Sequence, residues 1–151
     1  MLAVRRLDAT APVARELLAA MEDEVRRVYG PLAQDRTSLV APAEMAAPRG
    51  VYVVLEEDGD PVAGGGVRPL GPLGDGVGEV KRMFVTPACR GRGVGRRLLA
   101  ELEAAARDLG FERLRLDTAG TGRRLYERAG YRAIGDYNGN TYATFWGEKA
   151  L

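Results

Sequence analysis

Histidine is absent from the 151 residues, and that absence removes a large share of enzyme chemistry. Without imidazole there is no Ser-His-Asp triad, no histidine general base and no ordinary His-containing zinc site. Proton transfer falls to carboxylate, tyrosine, cysteine, lysine or water. Cysteine is nearly absent as well: a single residue, Cys89, excludes an internal disulfide and suits a reducing compartment. No stretch approaches the roughly 18 apolar residues that cross a bilayer. The opening MLAVRRLDAT lacks the basic-then-apolar order of a secretory signal, so a cytoplasmic protein with no membrane partner is expected. Lysine is scarce, since 20 of the 22 basic residues are arginine. With abundant Ala and Gly, that bias looks like the mark of a GC-rich bacterial genome rather than a functional choice.

Large net charge is also missing. The balance is +1, which argues against a surface built to coat a polyanion. The charge is unevenly placed, however. Lys81, Arg82, Arg90, Arg92, Arg96 and Arg97 fall within one 17-residue stretch that contains no acid. This reads as a local anion site on a nearly neutral chain. The length fits one domain, residues 1–151, with mass for a single sizeable core.

The elements alternate. Leu2 to Leu7 reads as a first strand. Thr10 serves as N-cap, with Pro12 in the first turn, for a helix carrying Val13, Leu17, Met21, Val25 and Val28 at helical spacing. It ends near Gly30. Residues 31–50 are rich in Pro and Ala and read as a loop with one short helix. Val51–Leu55 is a strand, Asp58-Gly59 a hairpin turn, and Pro61–Val67 the returning strand with three consecutive glycines. The loop LGPLGDGVG leads into a strong strand, Glu79–Val85. After Thr86-Pro87 and the stretch CRGRGVGRR, Val94, Leu98, Leu102, Ala105 and Leu109 form one helical stripe that Gly110 stops. Strand 112–117, a helix over Thr121–Ala129, and strands Tyr131–Ile134 and Thr141–Glu148 complete the pattern. The fold class is α/β, a central mixed sheet flanked by helices.

CRGRGVGRR puts glycines and arginines at a strand-to-helix turn. Free backbone N–H groups at a helix N-terminus attract anions, glycine allows close approach, and arginine adds charge-assisted hydrogen bonds. A phosphate or pyrophosphate is therefore expected at residues 91–96. The Walker pattern is excluded because Gly-Lys-Ser/Thr occurs nowhere. The dinucleotide pattern G-x-G-x-x-G fails because Gly91 and Gly93 are followed by Gly95, with Arg96 where the last glycine belongs.

What does fit is Arg-x-x-Gly-x-Gly, at Arg90, Gly93 and Gly95. Here the sequence resembles the GNAT superfamily of acyl-CoA-dependent N-acetyltransferases. EVKRMFVTPACRGRGVGRRLLAELEAAARDLGF is similar to the family's cofactor motif, and RLYERAGYR to its second motif. The resemblance covers Val77–Arg132 and, by order of elements, most of the chain. It implies the GNAT fold and acetyl-CoA as cofactor. It implies that backbone amides of Arg90, Gly91, Arg92, Gly93, Val94, Gly95 and Arg96 hold the coenzyme A pyrophosphate. It further implies that strand 79–85 splays from strand 112–117, leaving a slot for the pantetheine arm. Main-chain groups of Met83, Phe84 and Val85 would pair with that arm, one N–H polarising the thioester carbonyl.

The same resemblance assigns Glu79, eleven positions before Arg90, as the base that takes a proton from the acceptor amine, directly or through water. Tyr126 matches the tyrosine that reprotonates the leaving thiolate. Blander roles stand beside these: Glu79 as an ion-pair partner of Lys81, Arg82 or another arginine, and Tyr126 as a packed ring. Cys89 reads as a small residue, Arg123 and Arg124 as solvated helix surface, and Asp117 as a cap or turn former. Glu56, Glu57, Asp58 and Asp60 read as a solvated hairpin tip. Tyr137, Tyr142 and Trp146 line an acceptor pocket or pack the sheet. Many relatives carry an asparagine one or two helical turns before the tyrosine; AGTGRR occupies that place here, so its contact is missing.

The expected activity is acetyl transfer from acetyl-CoA to a primary amine of a small molecule or a protein, by direct attack in a ternary complex. A non-catalytic acyl-CoA-binding domain of the same fold is the alternative. Nucleic acid is not an expected partner, because interleaved aromatics and overall basic charge are missing. A homodimer is compatible with the resemblance. The acceptor is not specified; segments 30–50 and 135–141, which shape it in the family, are the least patterned parts of the chain.

Overall fold

A computed structural model describes residues 1–31, 40–71, 76–120 and 122–151. In chain order the elements are β1 (Leu2–Leu7), α1 (Pro12–Tyr29), β2 (Val51–Glu57), β3 (Asp60–Pro69), β4 (Val77–Val85), α2 (Val94–Asp108), β5 (Arg113–Thr118), α3 (Arg123–Arg128), β6 (Arg132–Ala133) and β7 (Phe145–Ala150). Short 3-10 turns lie at Pro42–Met45 and Pro87–Cys89. The centres of the 30–50 segment and of LGPLGDGVG, and the expected helix start at Thr121, lie outside the described residues.

One seven-stranded sheet runs β1-β2-β3-β4-β5-β7-β6. Every neighbouring pair is antiparallel except β4 and β5. A parallel pair needs a crossover, and α2 supplies it. The unbroken apolar run VYVVL in β2 follows from burial on both faces. Val53 and Leu55 join the core beneath α2, with Leu98, Leu99 and Leu102. Tyr52 and Val54 join a second core beneath α1, with Ala14, Leu17 and Met45. Among the described residues no helix is long and apolar enough to cross a membrane.

The triple glycine of β3 is a packing device. A Cβ at Gly64 would lie 2.9 Å from Leu17 Cδ1 of α1, one at Gly65 would lie 3.1 Å from Leu102 Cδ1 of α2, and one at Gly66 would collide with Met45 Sδ. Bare backbone lets the layers close from both sides. Met45 is fully buried and has nowhere to retreat. Gly66→Ala is therefore expected to destabilise the fold by about 2 kcal/mol through overpacking, read as a lower urea midpoint at unchanged slope. An unchanged midpoint would mean that the Met45 layer is loosely packed.

Several boundaries differ from expectation. The strand expected over Tyr131–Ile134 shortens to β6, Arg132–Ala133, and the β2 and β3 strands run longer than expected. Three further differences have a local cause. The N-cap of α1 is Ala11, not Thr10: Pro12 at the first helical position holds the residue before it extended, and Ala11 has φ −67° and ψ 150°. The helix expected over Thr121–Ala129 shortens to α3, with Gly122 as its N-cap. The last strand starts at Phe145 rather than Thr141, because polar side chains claim the preceding backbone. Asp136 Oδ1 accepts from the amides of Asn138 and Gly139, Asn138 Oδ1 from that of Asn140, and Asn140 Oδ1 from that of Tyr142. These local bonds replace a ladder. Asp58 and Gly59 both have positive φ, as the Asp-Gly hairpin turn requires.

Candidate active site

β4 and β5 pair only at Val77–Arg113, Gly78–Leu114 and Glu79–Arg115. Beyond Glu79 the two strands diverge, and the gap opens toward the C-terminal end of β4. A bulge adds to the effect. The register against β3 shifts between Gly64 and Gly66, and Arg82 on β4 has φ +60°. An extra residue in one strand re-aims those that follow. The Thr86 amide donates to Val62 O, which makes Thr86 and Val62 a hydrogen-bonded pair. By the alternation of an antiparallel ladder, Phe84 turns its polar backbone to β3, while Met83 and Val85 present theirs to the gap. Of the three residues expected to pair with a pantetheine arm, two have main chain available on that side.

The loop after β4 ends in a helix N-terminus. Gly91 and Gly93 have φ of 77° and 80°, and a Cβ on either would meet nothing within 4 Å. They are needed for left-handed backbone, and the space beside them is open. α2 has no side-chain cap and no acid in its first turn. Among the described residues, no backbone acceptor takes the amides of Gly91 to Arg96; the first bond back into the turn is Arg97 N–H to Gly93 O. Unclaimed amides, the macrodipole and open space together fit an anion the size of a diphosphate. The Arg90 amide is not part of this set, because it donates to Pro87 O at 3.3 Å.

The arginine side chains are deployed differently from the amides. Arg90 folds back over the Phe84 ring, donates from Nε to Val85 O at 2.8 Å and pairs with Glu24 of α1 at 2.8 Å. Arg92 faces Glu57 at 3.4 Å and Arg97 pairs with Glu101, while Arg96 stands exposed on the first helical turn. Glu56 and Glu57 are thus engaged with Arg5 and Arg92 rather than merely solvated.

Below this loop the splay widens into a cavity of about 650 Å³. Lys81, Arg82 and Met83 of β4 line one side, Asp117 and Thr118 of β5 the other, with Tyr126 at the base. Met21, Glu24, Val25 and Tyr29 of α1 and residues 138–142 close it over. Tyr142 meets Tyr29 edge-on at 5.5 Å.

Tyr126 lines the cavity from α3. Its hydroxyl lies 3.5 Å from Met83 Sδ across the gap. Burial, with a further contribution from the Asp117 charge, pushes its pKa up to about 12. At neutral pH the hydroxyl keeps its proton.

Glu79 sits behind the cavity wall, with no exposed surface. Its Oε1 takes Arg68 Nε at 2.9 Å and Nη2 at 2.8 Å; its Oε2 takes the Tyr137 hydroxyl at 2.6 Å and lies 3.5 Å from Lys81 Nζ. The ion-pair role weighed for Glu79 is present, with Arg68 as its principal partner. Direct contact between its carboxylate and a ligand in the cavity is blocked; Arg68 and Lys81 both line the cavity and touch Glu79, and of the two lysine is the one that can give up a proton.

Asp117 is the residue that sequence reading placed wrongly. It is no turn former: 7% of its side chain is exposed, and it receives Lys81 Nζ at 3.1 Å, Asn138 Nδ2 at 2.7 Å and Asn140 Nδ2 at 3.0 Å. Burial alone would raise its carboxyl, but the Lys81 ammonium and the two amides outweigh that and hold it below the usual carboxylate range. Lys81 was also missed as a site residue, although a signal existed. In a chain that otherwise uses arginine, both lysines sit on buried carboxylates, Lys81 on Asp117 and Lys149 on Glu103. Trp146 donates to Asn138 Oδ1, and Arg123 stays on the surface against Glu127.

Comparison with known proteins gives this geometry its family. N-acetyltransferase YjgM of Escherichia coli, itself uncharacterized, is 36% identical over 93 residues, 60% of this chain and 55% of that protein. The chain thus spans about half the length of that relative. IAA acetyltransferase of Azospirillum brasilense is 30% identical over 126 residues, 82% of each chain. The solved structure of a proposed acyl-CoA N-acyltransferase from Klebsiella pneumoniae superposes with a TM-score of 0.75 at 26% identity, covering 100% of this chain and 98% of that one. The family model for GNAT acetyltransferases matches residues 14–131, and the chain belongs to that family.

Proposed function

We propose that this protein transfers an acetyl group from acetyl-CoA to a primary amine by direct attack in a ternary complex. The observation that carries the reading is the unclaimed amide set from Gly91 to Arg96 at the mouth of the β4–β5 splay, with Tyr126 protonated inside it. Acetyl-CoA, when bound, supplies the activated acetyl thioester. The amides of the loop hold its diphosphate, and the Met83 and Val85 main chain holds its pantetheine arm. Arg90 must release Val85 O, or share it, for that arm to pair fully. Tyr126 keeps a proton at Oη for the departing thiolate. Glu79 accepts the amine's proton indirectly: Lys81 passes one to it and takes one from the cavity, which its position 3.5 Å from Oε2 supports.

Binding without turnover is the second reading. One observation favours it: both Glu79 oxygens already accept strong hydrogen bonds. Thiol release from acetyl-CoA, assayed with a panel of amino acids, polyamines, arylalkylamines and a lysine peptide, separates the two. Turnover with at least one amine, together with a melting temperature raised by acetyl-CoA, is the expected result. A raised melting temperature without thiol release would favour the binding domain, and neither effect at millimolar acetyl-CoA would sink both.

A further inference from the structure

The segment 138–142, which roofs the cavity opposite the sheet, is held by side chains rather than by a ladder. Among the described residues its backbone contributes few bonds to the rest of the fold: the Ala143 amide returns to Asn140 O, and the Thr144 amide beyond it reaches Thr118 O. What fixes it is the orientation of two asparagine amides. Asn138 Oδ1 accepts from Trp146 Nε1 at 3.0 Å and from the Asn140 amide at 3.2 Å. Asn140 Oδ1 accepts from the Tyr142 amide at 3.1 Å. With their oxygens committed to donors, neither side chain can flip, and both must direct an NH2 group inward. Both point at Asp117 Oδ2, while Lys81 occupies Oδ1.

We propose that Asp117 is a positioning residue for the acceptor: through Asn138 and Asn140 it holds Tyr142 over the cavity, and so it sets amine affinity in the reaction proposed above. Only a carboxylate satisfies this site. It offers acceptors on both oxygens and no hydrogen, whereas an amide in the same place offers one oxygen and turns two hydrogens toward incoming donors. Lys81 cannot take its place, being a donor itself. Release of the two asparagines frees Tyr142 from its edge contact with Tyr29, and the wall that faces the amine loses its shape. The diphosphate loop lies on a different element, α2, and shares none of these bonds.

Asp117→Asn in the full chain tests this, because it conserves size and removes only the acceptor capacity. The sole tryptophan, Trp146, donates to Asn138 and serves as a built-in reporter of the segment. We expect the KM of the most active amine of the panel to rise about tenfold and acetyl-CoA affinity to stay within about twofold. Acrylamide should quench Trp146 more readily. A merely structural role would weaken both substrates together, and that outcome would overturn the proposal, as would an unchanged amine KM with unchanged quenching. Should Asp117→Asn fail to fold, Asn140→Leu leaves the Lys81–Asp117 pair intact and is expected to show the same split at smaller size; a wild-type amine KM there also overturns it. If no amine turns over, the acetyl-transfer reading fails by itself. Trp146 quenching then decides whether Asp117 anchors the segment.

Discussion

Replacing Tyr126 by phenylalanine is expected to lower kcat about a hundredfold while leaving acetyl-CoA affinity within about twofold. The structure makes this a clean subtraction. The ring belongs to the core beneath α2 and meets Tyr131 edge-on at 6.1 Å, and phenylalanine keeps both contacts. The hydroxyl's protein partner is the Met83 thioether at 3.5 Å, a weak acceptor, so its removal costs the fold little. What disappears is a proton held in a buried site next to the gap. Because burial and Asp117 push the group to about 12, it stays a donor across the range in which amines become nucleophilic, and the alkaline fall of kcat should not come from Tyr126.

The sign of the linkage gives a second check on the same variant. A folded-state pKa raised above the unfolded value of 10 contributes stability below pH 10 that is lost as pH rises toward 12. Tyr126→Phe removes that loss, so the variant's stability should fall less steeply than wild type at alkaline pH. A kcat within about twofold of wild type would reassign the proton donor to another group or to water.

Local features of the site were legible and distant ones were not, for a physical reason. The strand-glycine-helix turn is written in consecutive residues, because left-handed backbone at Gly91 and Gly93 and an uncapped α2 each depend on the amino acid in place. Tyr126 was legible through its neighbours LYERAGY. The roles of Asp117 and Lys81 depend on partners 21, 23 and 36 positions apart in sequence, joined only when β4, β5 and the 138–142 segment meet. No periodicity encodes that meeting. The bulge was invisible for another reason: arginine carries no preference for φ +60°, so Arg82 reads as an ordinary strand residue. The triple glycine was read correctly as strand, but its purpose appears only when Leu17, Leu102 and Met45 are seen closing on it.

Gly93 offers a way to test charge at the anion site apart from shape. Asparagine and aspartate have nearly the same volume, and both enter left-handed backbone more readily than other side chains. At Gly93 a Cβ meets nothing within 4 Å, so each substitution costs the fold mainly the φ penalty, about 1 kcal/mol, and nearly equally. They differ in one respect. Aspartate places a carboxylate beside the free amides of Val94, Gly95 and Arg96, which favours the folded protein and disfavours any further anion there. At about 4 Å and an effective dielectric near 20, repulsion between two unit charges is about 4 kcal/mol, before salt and movement reduce it. Gly93→Asp is accordingly expected to weaken acetyl-CoA binding about a hundredfold and Gly93→Asn no more than about tenfold, with the aspartate variant melting no lower than the asparagine one. Calorimetric titration of both variants with acetyl-CoA, beside their melting curves, measures the difference. If the two bind acetyl-CoA equally well, the diphosphate does not rest on the α2 N-terminus, and the cofactor orientation proposed for the β4–β5 splay falls with it.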